Sequence, residues 1–274
     1  MSVTVRSFGS GSSGNAVLVQ AATASILIDC GVGPKTLKQG FSLAGRGPEQ
    51  LSAVLVTHEH VDHIRSLGWF TKRGVPIATT NGTAQAIGIA PSTHTKVDDG
   101  SAAILDGIRV LPIAVSHDAA EPCGFFLEIE GARITVVTDL GCSNKALLEP
   151  IANSDLVVLE ANHDETMLRR GPYPAHLKRR VLSTEGHLSN GHCGELLSQA
   201  LAGRSTPIAI WLAHLSQVNN TPTMAVNTVQ RMLADHFGRI TLKAIPRYGC
   251  ELTWRSDEPF VPTTNDFQLQ LPGL

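Results

Sequence analysis

Between residues 57 and 63 the chain reads Thr57-His58-Glu59-His60-Val61-Asp62-His63. Three imidazoles and a carboxylate within six residues, in the pattern H-x-H-x-D-H, are donors of the kind that hold a borderline divalent metal ion. The string follows the apolar run 51–56 and leads into a segment of helical character. Alternate residues at a strand end project to one side, so His58 and His60 can share one cation. Asp62 and His63, in the first helical turn, can face a neighbouring cation, and a carboxylate also suits the positive end of a helix. A solvated turn is the bland alternative, and it has no need of this combination at a strand-to-helix junction.

Four residues do not complete two metal sites, so further His or Asp ligands are required at the ends of later strands. The apolar run 109–116 ends at His117, the run 133–138 at Asp139 and the run 208–213 at His214. Strand-end side chains converge on one rim of a sheet, where α/β folds place their sites. Two cations held about 3.5–4 Å apart can lower the pKa of water towards about 7 and clamp phosphate oxygens.

These donors must be carried by alternating elements. Strand-like runs bounded by turn residues cover 3–7, 16–20, 25–29, 51–57, 109–116, 124–130, 133–139, 155–160 and 208–214. Helical character covers 34–43, 62–73, 83–89, 144–151, 164–170, 174–182, 192–201 and 222–237. Hairpins first, then alternating strand and helix, point to mixed sheets with outer helices, an α/β (α+β) class. With 274 residues, 42% hydrophobic and 17% charged, the chain can bury a substantial core as a single domain over 1–274. A loosely packed extension carrying Pro259, Pro262 and Pro272 is expected after about residue 255.

Composition excludes several classes. No run reaches the roughly 18 apolar residues of a membrane span, and the Gly/Ser-rich start has no signal-peptide pattern. The reading therefore places the protein in the cytoplasm. Five scattered cysteines without a C-x-x-C pair suggest free thiols rather than a disulfide framework or a cysteine zinc site. A net charge of −2 excludes a broadly basic, nucleic-acid-coating surface but leaves room for a local basic patch.

Taken in order, His58, His60, Asp62, His63, His117, Asp139 and His214 resemble the full ligand set of metallo-β-lactamase-fold hydrolases. The resemblance implies an αβ/βα four-layer sandwich of two mixed β-sheets with outer helices, holding two divalent metal ions. By carry-over, His58, His60 and His117 hold the first ion, Asp62, His63 and His214 the second, and Asp139 bridges them. Zinc is favoured as the bound species, with manganese or iron as alternatives, since His and Asp suit all three. An Asp at position 139, where β-lactam-cleaving members often carry Cys, is similar to the phosphodiesterase-like and hydroxyacylglutathione-hydrolase-like branches.

The second half resembles the tRNA 3′-processing ribonuclease, RNase Z, in the order of its motifs: Glu160-Ala161-Asn162-His163-Asp164, Gly186-His187-Leu188-Ser189-Asn190 and Leu212-Ala213-His214-Leu215-Ser216. That likeness implies that Glu160 orients His187, which donates a proton in phosphodiester cleavage, although Leu188-Ser189 stands where that family has Ser-Thr. Asp62 and Asp139 are its candidate proton acceptors. Over nearly the whole chain, the sequence is most similar to the YycJ/WalJ branch, through 8–16, the ligand string, 116–119, 160–164, 171–174, 186–190 and 214–220. This implies a double-stranded DNA exonuclease acting 5′ to 3′, with nucleic acid, DNA before RNA, as partner. The alternatives are an RNA-processing enzyme, a cyclic-phosphodiester hydrolase and a thioester or lactone hydrolase of the glyoxalase II type.

Three substrate contacts are expected. Gly9 to Asn15 can offer backbone N–H groups and the Ser12, Ser13 and Asn15 side chains to a phosphate or to the metal ligands, with a plain β-turn as the equal alternative. His163 follows a strand end in a polar cluster and can donate to a phosphate oxygen or cap the next helix. Arg169, Arg170, Lys178, Arg179 and Arg180 form a basic cluster around Tyr173 that can steer a nucleic-acid backbone or be a solvated helix face.

Overall fold

A computed structural model describes residues 2–98 and 100–263. The strands among the described residues are β1 (Thr4–Gly9), β2 (Ala16–Gln20), β3 (Ser25–Ile28), β4 (Ala53–Leu55), β5 (Ile77–Thr79), β6 (His94–Lys96), β7 (Ala103–Leu105), β8 (Ile108–Ala114), β9 (Cys123–Ile129), β10 (Ala132–Val137), β11 (Leu156–Glu160), β12 (Ile208–Ala213), β13 (Ile240–Ala244) and β14 (Thr253–Arg255). They build two seven-stranded mixed sheets, ordered β14-β1-β2-β3-β4-β5-β6 and β13-β12-β11-β10-β9-β8-β7.

The inner strands are buried on both faces, which explains their near-continuous apolar runs. Along β12, Ala209, Trp211 and Ala213 point into a core shared by the two sheets. The alternate residues Ile208, Ile210 and Leu212 meet the helices outside the second sheet. Likewise Ile26 and Ile28 of β3 face the inter-sheet core, and Leu27 faces the outer cluster with Leu37, Phe41 and Phe70. The result is four layers, helix, sheet, sheet, helix, as expected. Helices Asn190–Ala200 and Pro222–Met232 cover the second sheet, and Pro34–Ala44 covers the first.

Parallel pairing sets which side chains meet. In the second sheet Val137 lies opposite Leu159, Leu159 opposite Leu212, and Glu160 opposite Ala213. Asp139, Glu160 and His214 therefore leave adjacent carboxyl ends of β10, β11 and β12 at the same height. In the first sheet Ile28 lies opposite Leu55, which brings Asp29 and the 57–63 string to the corresponding edge. The Cys123 N–H donates to the Thr57 carbonyl at 3.0 Å and joins the two edges.

The expected helix over 62–73 is two shorter ones, Val61–Ile64 and Leu67–Thr71. Ser66 divides them, because its N–H bonds to the Cys30 carbonyl and its hydroxyl to the Val32 carbonyl. The short strands β5, β6, β7, β13 and β14 lie outside the predicted strand runs. Of these, β7 had a usable signal: Asp106-Gly107, both at positive φ, is the turn chemistry of a two-residue hairpin. The chain beyond residue 255 was expected to be loosely packed. Up to Thr263 it is tied to both sheets, through Ser256 N–H to Val3 O and Thr263 N–H to Ile240 O. The remainder of that extension, 264–274, lies outside the described residues. Among the described residues no helix is long and apolar enough to cross a membrane.

Candidate metal centre

His58, His60 and His117 present nitrogens that all lie within 4.8 Å of one another, and Asp62, His63 and His214 form a second such group. Within the first, His58 Nε2 and His117 Nε2 stand 3.0 and 3.3 Å from His60 Nδ1. In the second, Asp62 Oδ2 lies 3.3 Å from His214 Nε2 and 3.8 Å from His63 Nε2. Asp139 sits between them, 3.0 Å from His63 Nε2 through Oδ2 and 3.6 Å from His117 Nε2 through Oδ1. Its Oδ2 is buried without a hydrogen bond among the described residues. Three facing ring nitrogens and a buried carboxylate ringed by imidazoles are the donor set of a cation site, so the residues fit divalent metal ions.

The rings are held from behind, which selects the nitrogen that each presents. His63 Nδ1 bonds Asp29 Oδ2 at 2.7 Å, and His117 Nδ1 donates to the Gly186 carbonyl at 3.0 Å. His58 Nδ1 meets the Thr57 hydroxyl at 3.0 Å, and that hydroxyl in turn lies 3.0 Å from both oxygens of Asp29. Asp29 follows β3 at φ +59° and is buried. Sequence reasoning missed it, although the apolar run 25–28 ending in Asp is the same strand-end pattern that revealed Asp139.

Glu160 plays the matching part in the second sheet. One oxygen accepts Nδ1–H of His187 at 2.8 Å and of His214 at 2.9 Å; the other accepts the N–H groups of Leu140 and Leu188 at 2.8 and 3.0 Å. Expected to orient His187 alone, it holds a candidate ligand as well. A fully buried, unpaired carboxylate would cost several kcal/mol, and four donors offset that cost. Burial pushes the Glu160 carboxyl up, but the charge and hydrogen bond of His187 outweigh it and leave the group below its ordinary value.

The same contest decides the other groups. Burial pushes Asp139 up and the neighbouring His214 and His63 charges pull it well below the usual carboxylate range. For His214, burial is outweighed by Asp139, Asp62 and Glu160, which raise the imidazole to about 10. Burial likewise opposes protonation of His63 and His187, but Asp29 and Asp139 raise the first and Glu160 the second. Burial prevails at His58 and His117, which are shifted down.

The expected substrate residues are placed differently from one another. Ser12 is exposed on the turn between β1 and β2. Asn15 is buried below it: its Oδ1 accepts from Ser10 Oγ and Gly11 N–H at 2.9 Å, and its Nδ2 lies 3.1 Å from His63 Nε2. Ser10 Oγ also accepts the His214 N–H at 2.8 Å, and Asn162 Nδ2 donates to the His214 carbonyl at 2.9 Å, fixing a residue at φ +54°. Gly14 and Gly31 allow this close approach, since a Cβ on Gly14 would lie 2.5 Å from the Gly31 carbonyl. His163 is enclosed, at 1% exposure, with neither ring nitrogen hydrogen-bonded among the described residues, and burial lowers its pKa to about 4. Of the basic cluster, Arg180 pairs with Asp118 at 2.7 Å, Arg169 pairs with Glu165 at 3.2 Å, and the helix Ala175–Val181 leads through Gly186 to His187.

Fold and donor set together define a metal-binding centre of the metallo-β-lactamase type. A family model described as the beta-lactamase superfamily domain matches residues 24–210. Exodeoxyribonuclease WalJ of Streptococcus pneumoniae is 33% identical over 233 residues, 82% of this chain and 86% of the relative. Exodeoxyribonuclease YycJ of Bacillus anthracis is 32% identical over 82% of this chain and 87% of its own. The metallo-beta-lactamase fold protein YhfI of Bacillus subtilis superposes with a TM-score of 0.67 over 93% of this chain and 100% of its own, at 16% identity. The chain belongs to the beta-lactamase superfamily and, within it, to the family of the WalJ and YycJ proteins.

Proposed function

We propose that the protein is a dinuclear metal-dependent phosphodiesterase, a DNA exonuclease that digests duplex DNA from the 5′ end. The observation that carries the reading is the Glu160–His187 pair beside the donor cluster: His187 Nδ1 lies 2.8 Å from Glu160 Oε1 and 3.5 Å from Asp139 Oδ1. Thioester hydrolysis at the same metals needs no such proton donor. The names of the curated relatives, both exodeoxyribonucleases, support the choice of DNA.

In this reading His58, His60 and His117 would hold one ion and Asp62, His63 and His214 the other, with Asp139 available to both, and zinc is favoured over manganese or iron. When bound, such ions supply a water of lowered pKa and neutralise charge on the phosphoryl oxygens. His187, whose doubly protonated ring Glu160 stabilises through Nδ1–H, gives its Nε2 proton to the departing oxygen. Burial pushes the Asp62 carboxyl up, but His214 and His63 outweigh it and favour its charged form, and Asp62 or Asp139 takes the role of proton acceptor in this reading. Ser12 contacts the strand directly, while Asn15 and His163 support the rim from beneath. The basic helix Ala175–Val181 lies along the incoming backbone.

Metal-reconstituted protein assayed on 5′- and 3′-labelled duplex DNA and RNA, beside an Asp62→Ala control, tests this. Release of the 5′ label from DNA, lost in the control, is expected. Hydrolysis of a thioester with both nucleic acids untouched would overturn it, and a preference for RNA would move the protein to the RNase Z-like reading.

A further inference from the structure

Arg247 lies on the loop after β13 and meets the turn between β1 and β2 from outside the donor cluster. Its NH2 donates to the Leu215 carbonyl at 2.7 Å, one residue beyond His214. Its NH1 lies 3.5 and 3.4 Å from the Ser12 and Ser13 hydroxyls. No carboxylate among the described residues forms an ion pair with it; several other arginines share that, and what marks this one out is its place against the turn beside His214. The guanidinium is thus half-buried, fixed in direction and not neutralised.

The turn it touches is rich in unused donors. Among the described residues the N–H groups of Ser12 and Ser13 make no hydrogen bond. The Ser13 carbonyl, which would repel an anion, is taken up by Arg65 NH1 at 2.6 Å, bringing a second cation to the same turn. Gly11, at φ +134°, lets the guanidinium lie against the turn, since a Cβ there would stand 3.0 Å from Arg247 NH1. Ser10 and Asn15 of the same turn contact His214 and His63, so this donor group is built onto the rim of the metal centre. Tyr248, the next residue in the chain after Arg247, is 70% exposed.

We propose that Arg247, with Ser12 and Ser13, forms a subsite for a backbone phosphate of the nucleic-acid strand next to the one being cut. The proposal rests on the phosphodiesterase reading above. A guanidinium with spare N–H groups, hydroxyls and free amides is the donor set that recognises a phosphate. An exposed aromatic adjacent to it offers a face on which a base can stack.

The test is the affinity of the metal-loaded protein for a phosphorothioate-linked DNA duplex across a range of salt concentrations. Arg247→Gln keeps a donor for the Leu215 carbonyl but removes the charge, and Arg247→Lys keeps the charge. Arg247→Gln is expected to weaken binding about tenfold and to reduce the salt slope by about one, with Arg247→Lys retaining most of the slope. If the parent protein binds and cleaves DNA but Arg247→Gln has the same affinity and slope, the subsite is wrong and the enzymatic reading stands. If both variants weaken equally with the slope unaltered, Arg247 only braces Leu215, and the proposal is again overturned. A parent protein that neither binds nor cleaves ends both readings together. Should Arg247→Gln melt early, the Ser12→Ala/Ser13→Ala pair reads the subsite from the other side: about threefold to tenfold weaker binding supports it, and unaltered affinity overturns it.

Discussion

The two sheets contribute to the metal centre in contrasting ways, and the contrast is sharpest at their buried carboxylates. Asp29, at the end of β3, serves the 57–63 string alone: it holds His63 and Thr57, and through Thr57 it reaches His58. Glu160, at the end of β11, holds one candidate ligand, His214, and one imidazole outside the proposed ligand set, His187, which keeps 17% of its side chain exposed. The first sheet's carboxylate is therefore a support for binding. The second sheet's carboxylate joins binding to proton transfer. At the metal centre each sheet also places one non-glycine residue in the left-handed region, Asp29 and His214, a strain of about 1–3 kcal/mol each that surrounding hydrogen bonds hold in place.

Breaking the second side should cost most. His187→Ala is expected to lower kcat by about 10³-fold while metal content, read by atomic emission after gel filtration, stays near that of the parent. Loss of metal on this substitution would make His187 a ligand and dissolve the distinction between the two carboxylates. The carboxylates themselves come next. Glu160→Gln and Asp29→Asn should each weaken metal binding by about 10- to 100-fold. Saturating metal should restore kcat in Asp29→Asn and leave it depressed in Glu160→Gln. Equal restoration in both would show that Glu160, too, acts only through a ligand.

The remaining prediction concerns pH and metal affinity rather than a substitution. Burial opposes a second proton on either ring, but Asp139, Asp62 and Glu160 raise His214 to about 10 and Asp29 and Asp139 raise His63, so both rings are biased towards the doubly protonated form before metal enters. A cation must displace those protons. Below the raised pKa values, affinity should therefore climb with pH, by about tenfold per unit for each proton released. Competition with a chelator between pH 6 and 8 measures it, and calorimetry in buffers of different ionisation enthalpy counts the protons. An affinity that is flat over this window would mean that both rings are already neutral in the metal-free protein.

Much of the candidate site is visible in the chain because its residues obey local rules. The 57–63 string is contiguous, and His117, Asp139 and His214 each close an apolar run whose length and composition mark a strand. Asp29 was missed although it carries the same strand-end signature, whereas β6 and Arg247 lack one. β6, His94-Thr95-Lys96, is too short and polar to show a period, and pairing with β5 alone makes it a strand. Arg247 follows a proline in an irregular loop, and its neighbours Ser12, Ser13 and Leu215 are distant in sequence. Asn15 and His163, legible as polar residues near motifs, lie beneath the surface because the turn and the β11 end fold over them.

By itself, the sequence determined the layered α/β class and the kind of donor at each strand end, since side-chain chemistry and burial periodicity are properties of short stretches. Only the tertiary structure decided which nitrogen each imidazole presents, which carboxylates brace and which face the donor cluster, and which arginine meets the turn beside His214. Those outcomes depend on the parallel register of β10, β11 and β12 and on the contact between the two sheet edges. A hydrogen bond has a range of about 3 Å, so partners far apart in the chain can choose one another only after the sheets have assembled.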